Sequence, residues 1–265
     1  MPTAPLPPRF TSAFVRALSK AAALAAMVPL LLSSCQRSEP AAPATKPATK
    51  SLELVAVHAI AVGEPSGLAY AARTQTLYMI SDSRSEIFTI DSTGKILSAL
   101  PVAAQDMEGI TLSPGADTIY VVEETASQVT TFLANGVKLS SFPVMVRRDP
   151  KHALEGITLD HRGHLFVINE KNPTMLLEFA GRVELAHQVL DYTSDISDIC
   201  YDAGSDCFWI VSDESKKVIK ISRAGALLGE WDCPATQGEG IALIGGRLYV
   251  VSDAEAKLYV FHRPS

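Results

Sequence analysis

Glutamate stands directly before glycine three times in like context: "DMEGITL" from Asp106, "ALEGITL" from Ala153 and "QGEGIAL" from Gln237. An apolar strand accounts for the isoleucine and leucine of these stretches, but not for Glu108, Glu155 and Glu239. A second set of acids, Asp82, Glu124, Glu170, Asp213 and Asp253, closes the stretches "TLYMISD", "TIYVVEE", "HLFVINE", "CFWIVSD" and "RLYVVSD". Carboxylates gathered in one place repel, and loss of water raises the cost. They need a counter-charge. A hard cation such as Ca²⁺ takes several carboxylate oxygens in flexible geometry. A metal held this way can also polarise a carbonyl or phosphoryl oxygen and activate water. For the second set, capping of turns at strand ends is the simpler account. For Glu108, Glu155 and Glu239, bonding to a neighbouring backbone and cation binding stand level.

The elements that would position these acids follow from a repeat. The glycine of Glu-Gly-Ile recurs as Gly67, Gly109, Gly156, Asp198 (a substitution, in "DISDICY") and Gly240, at spacings of 42, 47, 42 and 42 residues. Each marker opens a short apolar strand; the stretches quoted above form a second, and "EIFTI", "QVTTF", "MLLEF", "KVIKI" and "KLYVF" a third. In the first four units a glycine turn (Gly94, Gly136, Gly181, Gly225) leads to a fourth. Four short strands in each unit of about forty residues predict an all-β, five-bladed β-propeller. The fifth unit lacks its fourth strand. Residues 52–60, "LELVAVHAI", belong to no unit and are expected to supply it, closing the ring and covering an open edge.

In such a fold the first strand of each blade lines the central channel. Its start shares a face with the end of the antiparallel second strand. Both sets of acids are therefore expected at one channel mouth, with Ser66 and Ser197 in the glutamate position of blades one and four. Asp198 is expected as a fourth cation ligand beside Glu108, Glu155 and Glu239. The long spacing before Gly156 falls in "PVMVRRDPKHA", whose Arg147, Arg148, Lys151 and His152 would overhang the mouth and hold an anionic group. A solvated loop is the plainer account of them. No histidine pair has metal spacing, and no Gly-x-Ser-x-Gly elbow or phosphate loop occurs.

Residues 1–34 read as a signal peptide: Arg9, Arg16 and Lys20 without an acid, then "AAALAAMVPLLL", too short for a comfortable membrane span. The run ends in "LSSC", which resembles a bacterial lipobox and makes Cys35 the expected lipidated N-terminus. Residues 35–50, rich in Pro, Ala and Thr, read as an extended spacer, and 51–265 as the propeller. The expected location is the bacterial cell envelope, with lipid attachment to a membrane through buried CH₂ groups. In an oxidising compartment Cys200 and Cys207, flanking the turn "YDAGSD", form either a disulfide or two free thiols. The formal charge of −6 and 7% aromatic content give no platform for nucleic acid. A monomer is expected, receiving a small molecule or a protein.

"DMEGITL", "LEGITLD", "EKNP" from Glu170 and "GEGIAL" followed by "LYVVSD" together resemble the SdiA-regulated domain family, the YjiK-like β-propellers of bacterial envelopes. The likeness covers Leu52 to the C-terminus and implies the propeller fold more than any activity. Two functions fit the residues. One is a lipid-anchored binding or scaffold module with a cation at its acidic mouth. The other is a metal-dependent hydrolase, lactonase-like or phosphoesterase-like, using the same carboxylates.

Overall fold

The structure, a computed structural model, describes residues 50–145 and 153–265. All the regular elements among them are strands. Two precede the first blade: β1 (Lys50–Ser51) and β2 (Leu54–Ala59). Blade one holds β3 (Pro65–Ala71), β4 (Thr76–Ser81), β5 (Arg84–Ile90) and β6 (Ile96–Pro101). Blade two holds β7 (Met107–Leu112), β8 (Thr118–Glu123), β9 (Gln128–Leu133) and β10 (Lys138–Pro143). Blade three holds β11 (Leu154–Leu159), β12 (His164–Asn169), β13 (Met175–Ala180) and β14 (Val183–Val189). Blade four holds β15 (Asp198–Asp202), β16 (Cys207–Ser212), β17 (Lys217–Ser222) and β18 (Leu227–Asp232). Blade five holds β19 (Gly238–Ile244), β20 (Arg247–Ser252) and β21 (Lys257–His262). Consecutive strands of a blade pair antiparallel.

The ring closes as the repeat predicts: β2 pairs antiparallel with β21 and becomes the outer strand of blade five. One feature differs from the expected spacer. Its last residue, Lys50, is already in a strand, and β1 pairs parallel with β18 of blade four. Leu52, between β1 and β2, is buried with Trp209, Trp231 and Phe261. The segment thus ties blade four to blade five before it completes the latter.

Burial explains the sequence pattern. Second strands are covered on both sides by neighbouring blades, so β16 is buried throughout and reads as a continuous apolar run. Outer strands face solvent, and β14 is exposed along its length. Among the described residues the core is five apolar clusters, one in each cleft between adjacent blades, including the cleft between blades five and one. No single core exists apart from the ring, so the latch and the clusters stabilise one another.

Cys200, Cys207 and Cys233 are free thiols. The ladder sets Cys200 opposite Trp209 and Cys207 opposite Asp202. The two sulfurs are offset along the hairpin rather than paired across it.

Candidate functional site

The marker residues form the waist of the channel. A side chain added at Gly109 would put its Cβ 2.3 Å from the Glu155 carbonyl oxygen; at Gly67, 2.8 Å from that of Glu108; at Gly156, 2.7 Å from Asp198 Cα. Backbone touches backbone here, which is why glycine recurs. Only blade four carries a side chain. Asp198 is fully buried, and its Oδ2 accepts the N–H groups of Leu68 at 3.2 Å and Ile241 at 2.8 Å. It plugs the axis and stitches blades one and five to blade four. Its Oδ1 has no hydrogen-bond partner among the described residues. Desolvation holds its carboxyl well above the usual range, against the Ile241 and Leu68 hydrogen bonds that lower it.

Above this waist lies an acidic cup of about 240 Å³. A bulge delivers the glutamates to it. Pairing of first and second strands skips a residue between Met107 and Gly109, between Leu154 and Ile157, and between Gly238 and Gly240. Glu108, Glu155 and Glu239 lie in those interruptions, freed from the ladder and turned into the cup, as bulges beside functional sites do. The loop entering each blade is pinned to the end of the second strand. The N–H groups of Asp82, Glu124, Glu170 and Asp253 donate to the carbonyls of Glu64, Asp106, Ala153 and Gln237. In blade four the Asp195 carboxylate takes this part, accepting the N–H of Asp213 at 3.0 Å and of Glu214 at 3.1 Å.

The cup gathers Glu108, Glu155 and Glu239 with Asp82, Glu170, Asp213 and Asp253, as expected of one mouth, and adds Glu64, Asp195 and Glu214. Among the described residues, ten carboxylates thus face one basic side chain, Lys171. Its Nζ lies 2.8 Å from Glu170 Oε1 and 2.9 Å from Glu214 Oε1. Burial works against its charge, but these two carboxylates hold its pKa above the ordinary lysine value. Much of the turn capping is done by the residue before each second-strand acid. Ser212 Oγ accepts the N–H of Ser215, and Asn169 donates to the Pro173 carbonyl at 2.6 Å. This leaves Asp82, Glu170, Asp213 and Asp253 to face the cup.

The remaining expected residues lie elsewhere. Asp198 sits beneath the cup and is not in its lining; the backbone N–H groups of blades one and five engage it instead. Glu124 is also outside the lining, but a carboxylate oxygen from each of Asp106, Glu108 and Glu124 lies within 4.8 Å of the others. Glu124 accepts the Ala153 N–H at 3.2 Å, and Asp106 that of Thr125 at 2.8 Å. Arg147, Arg148, Lys151, His152 and Cys35 fall outside the described residues.

Electrostatics follow from this crowding. Desolvation, reinforced by Asp82, Glu124 and Asp106, pushes Glu108 up to about 8 despite the Ser66 hydroxyl 3.0 Å from its Oε2. Desolvation with Asp213 and Asp253 pushes Glu239 up to about 7, against a Ser197 hydrogen bond. Glu155 is held well above the carboxylate range by desolvation and then by Glu108, Glu170, Glu124 and Glu239. Among the described residues the carboxylates offer only oxygens, and neither histidine nor cysteine lines the cup. That set suits a hard cation such as Ca²⁺ and not zinc or copper.

Comparison with known proteins agrees with the fold. The sequence profile of a family described as SdiA-regulated matches residues 49–262. A search of curated protein sequences finds no match. Among solved structures, Myxococcus xanthus glutaminyl cyclase is similar at a TM-score of 0.62 and 14% identity, covering 80% of this chain and 97% of that one. A chain of a nidogen/laminin complex is similar at 0.55 and 15%, covering 75% and 76%. Virginiamycin B lyase from Staphylococcus aureus is similar at 0.50 and 15%; 75% of this chain spans 66% of the lyase. At such identities the likeness is one of fold.

Proposed function

The chain belongs to the SdiA-regulated family, and we propose that it is a binding propeller whose acidic cup holds a hard cation, Ca²⁺ fitting best. Through that cation it receives a small-molecule or protein ligand. One observation carries the reading: among the described residues, ten carboxylates share a small cup with a single ammonium group. At the edge of the cup the Asp106, Glu108 and Glu124 oxygens offer one seat, joined to the cup through Glu108, and Glu155 and Glu239 are further carboxylates of the same cup.

A cation that binds only the folded state raises stability by mass action. Protein stripped with a chelator is expected to melt lower and to recover with Ca²⁺. Glu155→Gln is expected to blunt the recovery. Melting curves that ignore both chelator and calcium, with no metal in the purified protein, would sink the proposal. The hydrolase reading draws on Glu239, whose pKa of about 7 suits a general acid or base at neutral pH. Metal-dependent turnover of lactones or phosphate esters, lost in Glu239→Gln, would favour it over binding alone.

We further propose that Cys35 carries a lipid and tethers the propeller to an envelope membrane. The support is the sequence "LLSSC" between an apolar run and a Pro/Ala/Thr spacer. Cys35→Ser should move the protein from the membrane to the soluble fraction and lower its mass by the lipid. An unchanged distribution and mass would refute the tether.

A further inference from the structure

The opposite end of the channel has a different chemistry. Below the waist the same five inner strands enclose a second cavity of about 320 Å³ that shares no lining residue with the acidic cup. The repeat explains its shape. Two residues beyond each marker the chain has Ala69, Thr111, Thr158, Cys200 and Ala242, all small. One residue further come Tyr70, Leu112, Leu159, Tyr201 and Leu243. The small ring leaves the space, and the large ring forms its rim. Asp198 and the marker glycines stand along the inner strands between this cavity and the cup, in the lining of neither.

Among the described residues no Asp, Glu, Lys, Arg or His lines this cavity. Its interior polar groups are few. Thr111 is 7% exposed, lines the cavity and has no hydrogen bond to any described residue. Thr158 Oγ1 accepts the N–H of Tyr201 at 3.1 Å, so its own proton is unspent. A hydroxyl on an apolar wall can donate to an acceptor on a bound molecule. Thr111 and Thr158 thus offer two donors at an otherwise apolar lining. The volume lies at the small end of ligand pockets, which run roughly 300–1,000 Å³ and are mostly apolar with a few placed polar groups.

We propose that this second mouth is a binding site for a small neutral molecule with an apolar body and one carbonyl-type acceptor. Thr111 and Thr158 donate to the acceptor, while the Leu and Ile wall covers the body. A charged ligand is excluded, because nothing in the lining would compensate its desolvation. The site is independent of the acidic cup, since Asp198 and the waist separate them.

The test is saturation-transfer NMR on the folded protein with acetophenone at millimolar concentration. Signal is expected with the wild type. Thr111→Val, which keeps the shape and removes the donor, is expected to weaken it several-fold. Ala69→Leu, which fills the cavity, is expected to abolish it. Cys200→Leu fills the same space from another blade and replaces Ala69→Leu if that variant does not fold. Benzoate and benzylamine carry the same ring with a charge, and their signals should not depend on residue 69. Acetophenone signal that is absent in the wild type, or indifferent to both filling substitutions, overturns the proposal. Charged analogues that lose signal on filling overturn the claim of neutrality.

Discussion

Gly109→Ala is expected to destabilise the propeller by about 4 kcal/mol or more, the range reserved for gross core defects. Its melting temperature should fall by on the order of 10 °C. The added Cβ would lie 2.3 Å from the Glu155 carbonyl oxygen and 2.9 Å from the Ile157 nitrogen. Both are backbone atoms of the next blade, so no rotamer change relieves the contact. Blade two would have to move outward from blade three. Each blade packs on two neighbours through its clefts, so a shift at one waist position spreads around the ring. Gly246 is the control: a Cβ there meets nothing within 4 Å, and Gly246→Ala should melt within a degree or two of the wild type, as a surface change does. Thermal unfolding of the three proteins decides the matter. A Gly109→Ala protein that melts with the control would show that the waist has slack and that its glycines serve something other than packing.

The same waist shows what was legible in the sequence. The marker spacing alone gave five blades, and the missing fourth strand of the last unit pointed to residues 52–60. Glu108, Glu155 and Glu239 stood out because they repeat, and repetition survives projection onto one dimension. Glu64 and Asp195 repeat as well, three residues before the marker where Asp106 also stands. That repeat lies in the loop before the strand, outside the strand pattern that marks the glutamates. Lys171 and Glu214 follow the second strands in blades three and four. Nothing in a linear pattern tells that two adjacent turns meet across a cleft. Asp198 was legible as a broken rule, but its role was not. A carboxylate in place of glycine reads equally as a ligand or a plug until the N–H groups of Leu68 and Ile241 are seen to reach it from other blades. The pairing of Lys50 and Ser51 with β18 has no sequence signature, since two polar residues on an edge satisfy backbone groups only.

Stability of the cation-free protein is expected to fall as pH rises from about 4.5 toward 8. The cause is the acidic cup. Below the unfolded value of 4.5, Glu108 and Glu239 are protonated in both the folded and unfolded chain, and neither contributes a pH dependence. Above it, the unfolded chain releases these protons, while folded Glu239 keeps its proton to about 7 and folded Glu108 to about 8. The folded state then binds more protons than the unfolded one. Each such group costs the folded state up to about 1.4 kcal/mol per pH unit through that window. The loss should level off above pH 8 for these two groups, with Glu155, also raised, extending the decline. A bound cation reverses the logic. It favours the ionised carboxylates and draws their pKa values back down, so saturating Ca²⁺ should flatten the profile and widen the gap between the two curves as pH rises. Melting curves in chelator and in calcium, from pH 5 to 8.5, provide the comparison. Glu108→Gln, which cannot ionise, should remove part of the slope in chelator and stabilise the cation-free protein at pH 8. If the chelated protein instead gains stability from pH 5 to 8, the glutamates are ionised in the folded state. Their crowding must then be compensated within the chain itself.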